Sequence, residues 1–172
     1  STAQVVAIET LDFANLSTAA IAKLTTEQIA NLTTSQVASM TTTQLVKMET
    51  ADFAALTSDR LASLTSTQVG ALTTDQLVAL TTQQASAMTA TQVKGFTTAQ
   101  LSKLETQDLA ALTTAAVAGL SGAQLSGLTT DEIRSITTTQ VSAITATALK
   151  SLTTAQIQAL TTDQLPELTT EQ

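Results

Sequence analysis

Leu24-Thr25-Thr26-Glu27-Gln28-Ile29-Ala30-Asn31 decides the fold, because the next eight residues, Leu32-Thr33-Thr34-Ser35-Gln36-Val37-Ala38-Ser39, repeat its pattern. Within the first unit, Thr25 and Gln28 form a T-x-x-Q capping box. The Thr25 hydroxyl is placed to accept from the backbone N–H of Gln28, and the Gln28 side chain to accept from the backbone N–H of Thr25. Leu24 stands just before the cap and Ile29 at the fourth helical position, the spacing of a hydrophobic staple. Ile29 and Leu32 are three apart and share one helix face. One octad is thus a complete helix-start device.

The device recurs along the whole chain. A large apolar residue falls every eight positions from Ile8 to Leu168, 21 times without a gap. A second apolar series follows five residues after each, from Val5 and Phe13 to Leu165, with Ala85 as its weakest member. Between them runs the consensus L-T-T-x-Q-[LIV]-[small]-x. Residues 1–172 therefore read as a single continuous array of about 21 octapeptide repeats, with no linker and no second domain. The array opens in mid-pattern at Ser1-Thr2 and stops in mid-pattern at Glu171-Gln172, as a fragment of a longer array would.

Two other folds fail on geometry. In one continuous helix, eight residues at about 100° each overshoot two turns by about 80°, and the apolar stripe would wind around the axis. In a β-solenoid, apolar spacings of five and three are odd, which puts the two series on opposite faces of a strand. Five Gly, one Pro and two Asn (Asn15 and Asn31) also supply little turn chemistry. The expected fold class is all-α, a solenoid or superhelix of very short capped helices, one per octad. Such helices are far shorter than the ~12–15 residues at which isolated helices persist, so stability must come from stacking on neighbouring repeats. Small residues such as Ala30, Ala38, Ala54, Ala62 and Gly70 suit close backbone approach. If capping alone sets the cost of losing a side chain, Thr73 ranks above Gln76, and Gln76 above Thr74, with about 0.5–2 kcal/mol for the cap itself.

Composition removes several functions. The net charge is -7, there is no Trp, Tyr, His or Cys, and only three Phe are present. An acidic surface without stacking aromatics does not suit nucleic acid. No apolar run reaches the roughly 18 residues of a membrane span. Without His or Cys the usual general base, thiolate nucleophile and zinc ligands are missing. No catalytic residue or cofactor is assigned, and the chain is expected not to be an enzyme. Lys23, Lys47, Lys94, Lys103 and Lys150 occupy the variable, solvent-side slots, and Phe13, Phe53 and Phe96 belong to the apolar series.

Three octads depart from the pattern together. Glu9/Asp12, Glu49/Asp52 and Glu105/Asp108 replace the capping Thr and the Gln by acids, and the octad after each lacks Gln, at Ala20, Arg60 and Ala116. These six carboxylates are weak candidate calcium ligands, since calcium takes several oxygens. The stronger reading is a variant cap, with two acids facing the positive end of the helix dipole. The paired Thr rows suggest a second class of function, an adhesive or ice- or crystal-binding face. Capping engages the first hydroxyl of each pair, which favours a structural role.

The quoted octads resemble the A-L-T-T-x-Q-[LIV] octapeptide arrays of very large secreted or surface-attached bacterial proteins, adhesin-like and type I-secreted. The likeness covers the whole chain. It implies a stalk, spacer or filament-forming segment, extracellular or at the cell surface, whose partners are neighbouring repeats and other copies of itself. L-T-x-x-Q also resembles the signature of Spy/CpxP-like periplasmic chaperones, where it occurs only a couple of times among long helices. Shared capping physics accounts for that overlap, and neither likeness supplies functional residues.

Overall fold

The computed structural model describes all 172 residues. It contains twenty α-helices of four to six residues, from α1 (Thr2–Val6) to α20 (Thr154–Ala159), then a 3-10 turn at Leu165–Glu167, and no strand. This is the all-α solenoid expected from the octads. Each helix starts where the capping residue places it. In α10 (Thr74–Val78), Thr73 Oγ1 accepts from the Gln76 N–H at 3.2 Å, and Gln76 Oε1 accepts from the Thr73 N–H at 3.0 Å. The exception in length and type is the last helix-like turn, where Pro166 follows Leu165 in the small-residue slot and the segment winds as 3-10.

The chain turns between helices without any residue in the left-handed region. Two extended residues make the corner, as Leu72 (φ -57°, ψ 145°) and Thr73 (φ -73°, ψ 157°) do between α9 (Ser66–Ala71) and α10. The corner is therefore the lead apolar residue plus the cap, which is why so little Gly and Asn is needed.

Helices pack on those three before and three after them, as α10 does on α7 (Thr50–Ala54) and α13 (Thr98–Leu101). Hydrogen-bonded residues on neighbouring coils are 25 to 31 positions apart, so one coil takes between three and four octads. Both apolar series line a single core that runs along the array, except that Ile157 and Leu165, the last two members of the second series, are exposed. Phe13, Phe53 and Phe96 all lie in it, and so does the small Ala85. All five lysines are exposed. Where coils come closest, only Gly fits. A Cβ on Gly95 would stand 2.2 Å from the Ser66 carbonyl oxygen, and one on Gly70 2.6 Å from that of Gly95. No helix is long and apolar enough to cross a membrane.

Candidate functional site

The polar side chain that marks the regular octads is buried from Gln36 to Gln164. Gln36, Gln44, Gln76 and Gln92 are each 1–2% exposed, an unusual place for an amide unless all its hydrogen-bonding capacity is met. It is met. Gln76 Oε1 accepts the N–H of its own cap, while Nε2 donates at 2.7 Å to the carbonyl of Leu45 and at 3.0 Å to that of Met48 on the coil below. Leu45 closes α6 (Thr42–Leu45), and Met48 is the lead residue of the corner that follows. Helix C-termini leave carbonyls without intrahelical donors. The glutamine of the next coil supplies one.

Twelve glutamines from Gln36 to Gln172 repeat this clamp. Each donates to the lead-residue carbonyl 28 positions earlier, at 2.6–3.0 Å. Many also reach the carbonyl 31 positions back, as Gln92 does at Leu61 and Gln156 at Leu125. One side chain therefore starts its own helix and fastens it to the coil beneath. The capping pattern in the sequence identifies the first role and misses the second.

The irregular octads show what replaces the clamp. Arg60 Nε donates to the Leu32 carbonyl, again 28 positions back, and its Nη1 reaches Thr57 Oγ1 at 3.1 Å. The Thr57 hydroxyl then makes no cap bond to the helix backbone. Ala20, Ala116 and Ala148 keep half a cap from Ser17, Thr113 and Thr145, and Ala116 and Ala148 place no donor on the coil below.

The acidic octads reverse the direction of the bond. Asp52 Oδ1 accepts at 2.6 Å from Thr26 Oγ1, and Asp108 Oδ1 accepts at 2.8 Å from Thr82 Oγ1, each Thr lying 26 positions earlier. An ionised carboxylate has no hydrogen to donate, so the lower coil provides the donor. Glu stands at the N-cap and Asp in the first turn of each helix, but their hydrogen bonds are not those of a cap. Glu9, Glu49 and Glu105 make no side-chain cap bond, and Asp52 and Asp108 turn inward to the neighbouring coil. Asp12, in the first coil, is exposed. Nor do the six acids gather. The octads of Asp52 and Asp108 are seven apart, about two coils, and no three acidic side chains converge on one point.

Asp108 is fully buried, and its Oδ2 has no hydrogen-bond partner. Burial pushes its pKa above the ordinary carboxylate value, opposed by the Thr82 hydroxyl and assisted by the nearby charge of Glu105. Glu132 fills the Gln slot of α17 (Thr130–Ser135). Its Oε2 accepts from the Thr129 N–H at 2.6 Å, and the Thr129 hydroxyl accepts from the Glu132 N–H at 3.2 Å. Burial raises its pKa too, against the lowering effects of Thr129 and of Lys103.

The grooves along the array are shallow and lined by repeat residues. The largest, about 450 Å³, lies among Thr33, Thr34, Thr57, Asp59 and Arg60. The only ion pair, Arg134 with Asp131 at 2.6 Å, is exposed and contributes little. The chemistry of the chain is concentrated in the seam between coils. No curated protein matches the sequence. A family model described as the ALTTAQ repeat matches residues 1–42, 45–82, 101–138 and 133–170, most of the chain. Octads, caps and inter-coil clamps are thus the anatomy of a family member: the chain belongs to the ALTTAQ repeat family.

Proposed function

We propose that the chain is a non-catalytic structural segment, a stalk, spacer or filament-forming region of an extracellular or cell-surface protein. One observation carries this reading. The side chains that define the repeat are occupied in holding the array together: the two apolar series in the core, the first Thr in the cap, the Gln in the cap and the clamp. A part that repeats its own fastening and presents no converging reactive groups is suited to setting length and stiffness. The acidic, low-complexity composition and the likeness to secreted arrays support a place outside the cell.

Small-angle X-ray scattering tests the mechanical core of the proposal. The full chain should scatter as a rod of constant cross-section. Two copies fused in octad register should double its length with the cross-section unchanged. A fused chain that folds back into a compact particle would rule out a spacer.

A further inference from the structure

Glu132 is the one carboxylate that keeps the full capping box, and it stands in a slot that elsewhere holds a hydrogen-bond donor. It is 3% exposed. One oxygen, Oε2, takes the position of the glutamine Oε1 against the cap N–H. The register of the twelve glutamine clamps directs its other oxygen toward the carbonyl of Leu104, 28 positions earlier. The Leu101 carbonyl, 31 positions earlier, is the second acceptor in that register, and it also receives the Leu104 N–H at 3.0 Å. Two oxygens facing each other with no hydrogen between them repel, whereas a carboxylic acid O–H facing a carbonyl oxygen is a normal hydrogen bond.

We propose that Glu132 is a pH-conditional clamp: protonated, it donates to the Leu104 carbonyl and fastens the coil as Gln does, and ionised, it lets that seam loosen. The charged surroundings on each packed element are few. Below, α14 (Thr106–Ala111) brings Asp108, its cap brings Glu105, and the segment before it brings Lys103. Above, α20 carries no titratable group, and Asp163 lies farther on beside Gln164, which clamps Ile136. On α17 itself, Asp131 and Arg134 pair with each other at the surface. Lys103 is the single cation on the coil below and favours the ionised form, while Glu105 and Asp108 are acids. Neighbouring Ala116 and Ala148 leave this stretch of the array with fewer clamps, so a conditional one has more influence here than among Gln68 to Gln100.

The sign follows from burial. The folded-state pKa of Glu132 is raised, so folding takes up protons here. Its contribution is fully present below the unfolded carboxylate value and is lost as pH rises through the folded value.

Amide hydrogen exchange on the full chain, corrected for intrinsic rates, tests this between about pH 4 and 7.5, the window that opens above the ordinary carboxylate value. In the natural chain, protection of α14 and α17 should fall as pH rises, about tenfold for each unit by which the Glu132 pKa exceeds that of the unfolded chain. Glu132→Gln should keep protection above that of the natural chain at the high-pH end, and Glu132→Ala should keep it below that of the natural chain at the low-pH end, each retaining only the fall that Asp108 contributes. Asp108 is present in all three, so the difference between profiles belongs to position 132. Identical pH profiles for the natural chain and Glu132→Gln would overturn the proposal. So would acid-range protection in Glu132→Ala equal to that of the natural chain. Carboxyl NMR of the natural chain is independent of how the variants fold. Glu132 should titrate above the ordinary carboxylate range, and a midpoint within or below that range would also overturn the proposal.

Discussion

From Gln68 to Gln100 every octad carries its glutamine, five in succession, and each fastens its coil to the one below. From Asp108 to Ala148 the same slot reads Asp, Ala, Gln, Glu, Gln, Ala. Until Leu149, which is only partly buried, the core does not distinguish the two stretches. Leu109, Val117 and Leu125 in the second are as buried as Val69, Leu77, Val93 and Leu101 in the first, all 0–1% exposed. What differs is the polar fastening. Equal burial with unequal clamping separates two contributions that a repeat protein normally presents together: the core makes the coils stack, and the amide fixes which carbonyl each helix start sits over.

The largest effect expected from this comparison is at Gln76. Gln76→Ala removes the return bond to the cap and leaves the Met48 carbonyl without a donor, while that of Leu45 keeps only the Met48 N–H. A buried group left unpaired costs about 1–3 kcal/mol, and the cap adds about 1 kcal/mol. The variant should therefore lose about 2–4 kcal/mol by chemical denaturation. Capping alone would rank Thr73→Val above it, so a larger loss for Thr73→Val would mean that the inter-coil bonds contribute little.

That reordering marks the limit of what the sequence makes legible. Period, capping box and staple are local, and they place the helices, the core and the solvent-facing lysines correctly. The clamp joins residues 28 apart, and no local rule contains that number. It follows from how many octads close a coil, which depends on the angle at each Leu-Thr corner. A trace is nevertheless present. A capping box accepts Glu as readily as Gln, yet Glu appears in this slot only at Glu132, among many Gln. A preference for amide over carboxylate signals a need for the Nε2 hydrogens. The acidic octads were legible as exceptions, and their inward turn toward Thr26 and Thr82 was not, because the donors lie on another coil.

Next in size is Thr82→Val. It keeps the side-chain shape and removes the donor to Asp108, leaving both carboxylate oxygens without a partner. The loss should be about 1–3 kcal/mol near neutral pH. Thr82 lowers the Asp108 pKa, which burial raises, so its removal raises that pKa further. The folded variant then holds its proton more tightly than the natural chain does. The cost of Thr82→Val should accordingly shrink as pH falls through these raised folded-state values. Denaturation of the two chains near neutrality and in mild acid checks this; a cost independent of pH would show that Asp108 does not depend on Thr82.

The gapped stretch should also be improvable. Ala116→Gln places an amide where the register offers the carbonyl of Met88, 28 positions back, and completes the capping box with Thr113. The gain should be about 0.5–1.5 kcal/mol, the net value of one added hydrogen bond. Local hydrogen exchange in α15 (Thr114–Ala118) should slow accordingly. Destabilisation would mean that the slot at Ala116 has closed around the smaller side chain, and that the two stretches differ in packing as well as in fastening.

The smallest effect belongs to Thr74→Val, and its smallness is informative because Thr74 and Thr82 hold the same place in consecutive octads. Both are exposed second threonines at the first position of a helix. Thr82 lies 26 positions before Asp108, which needs a donor. Thr74 lies 26 positions before Gln100, whose amide donates to Val69 and Leu72 and whose oxygen is taken by the Thr97 N–H. The coil above therefore asks nothing of the Thr74 hydroxyl. Its loss should stay within about 0.5 kcal/mol, the range of a surface substitution without a special contact. A cost equal to that of Thr82→Val would show that the second Thr contributes through its place in the octad, whatever stands above it, and the contrast between Gln and Asp octads would lose its physical basis.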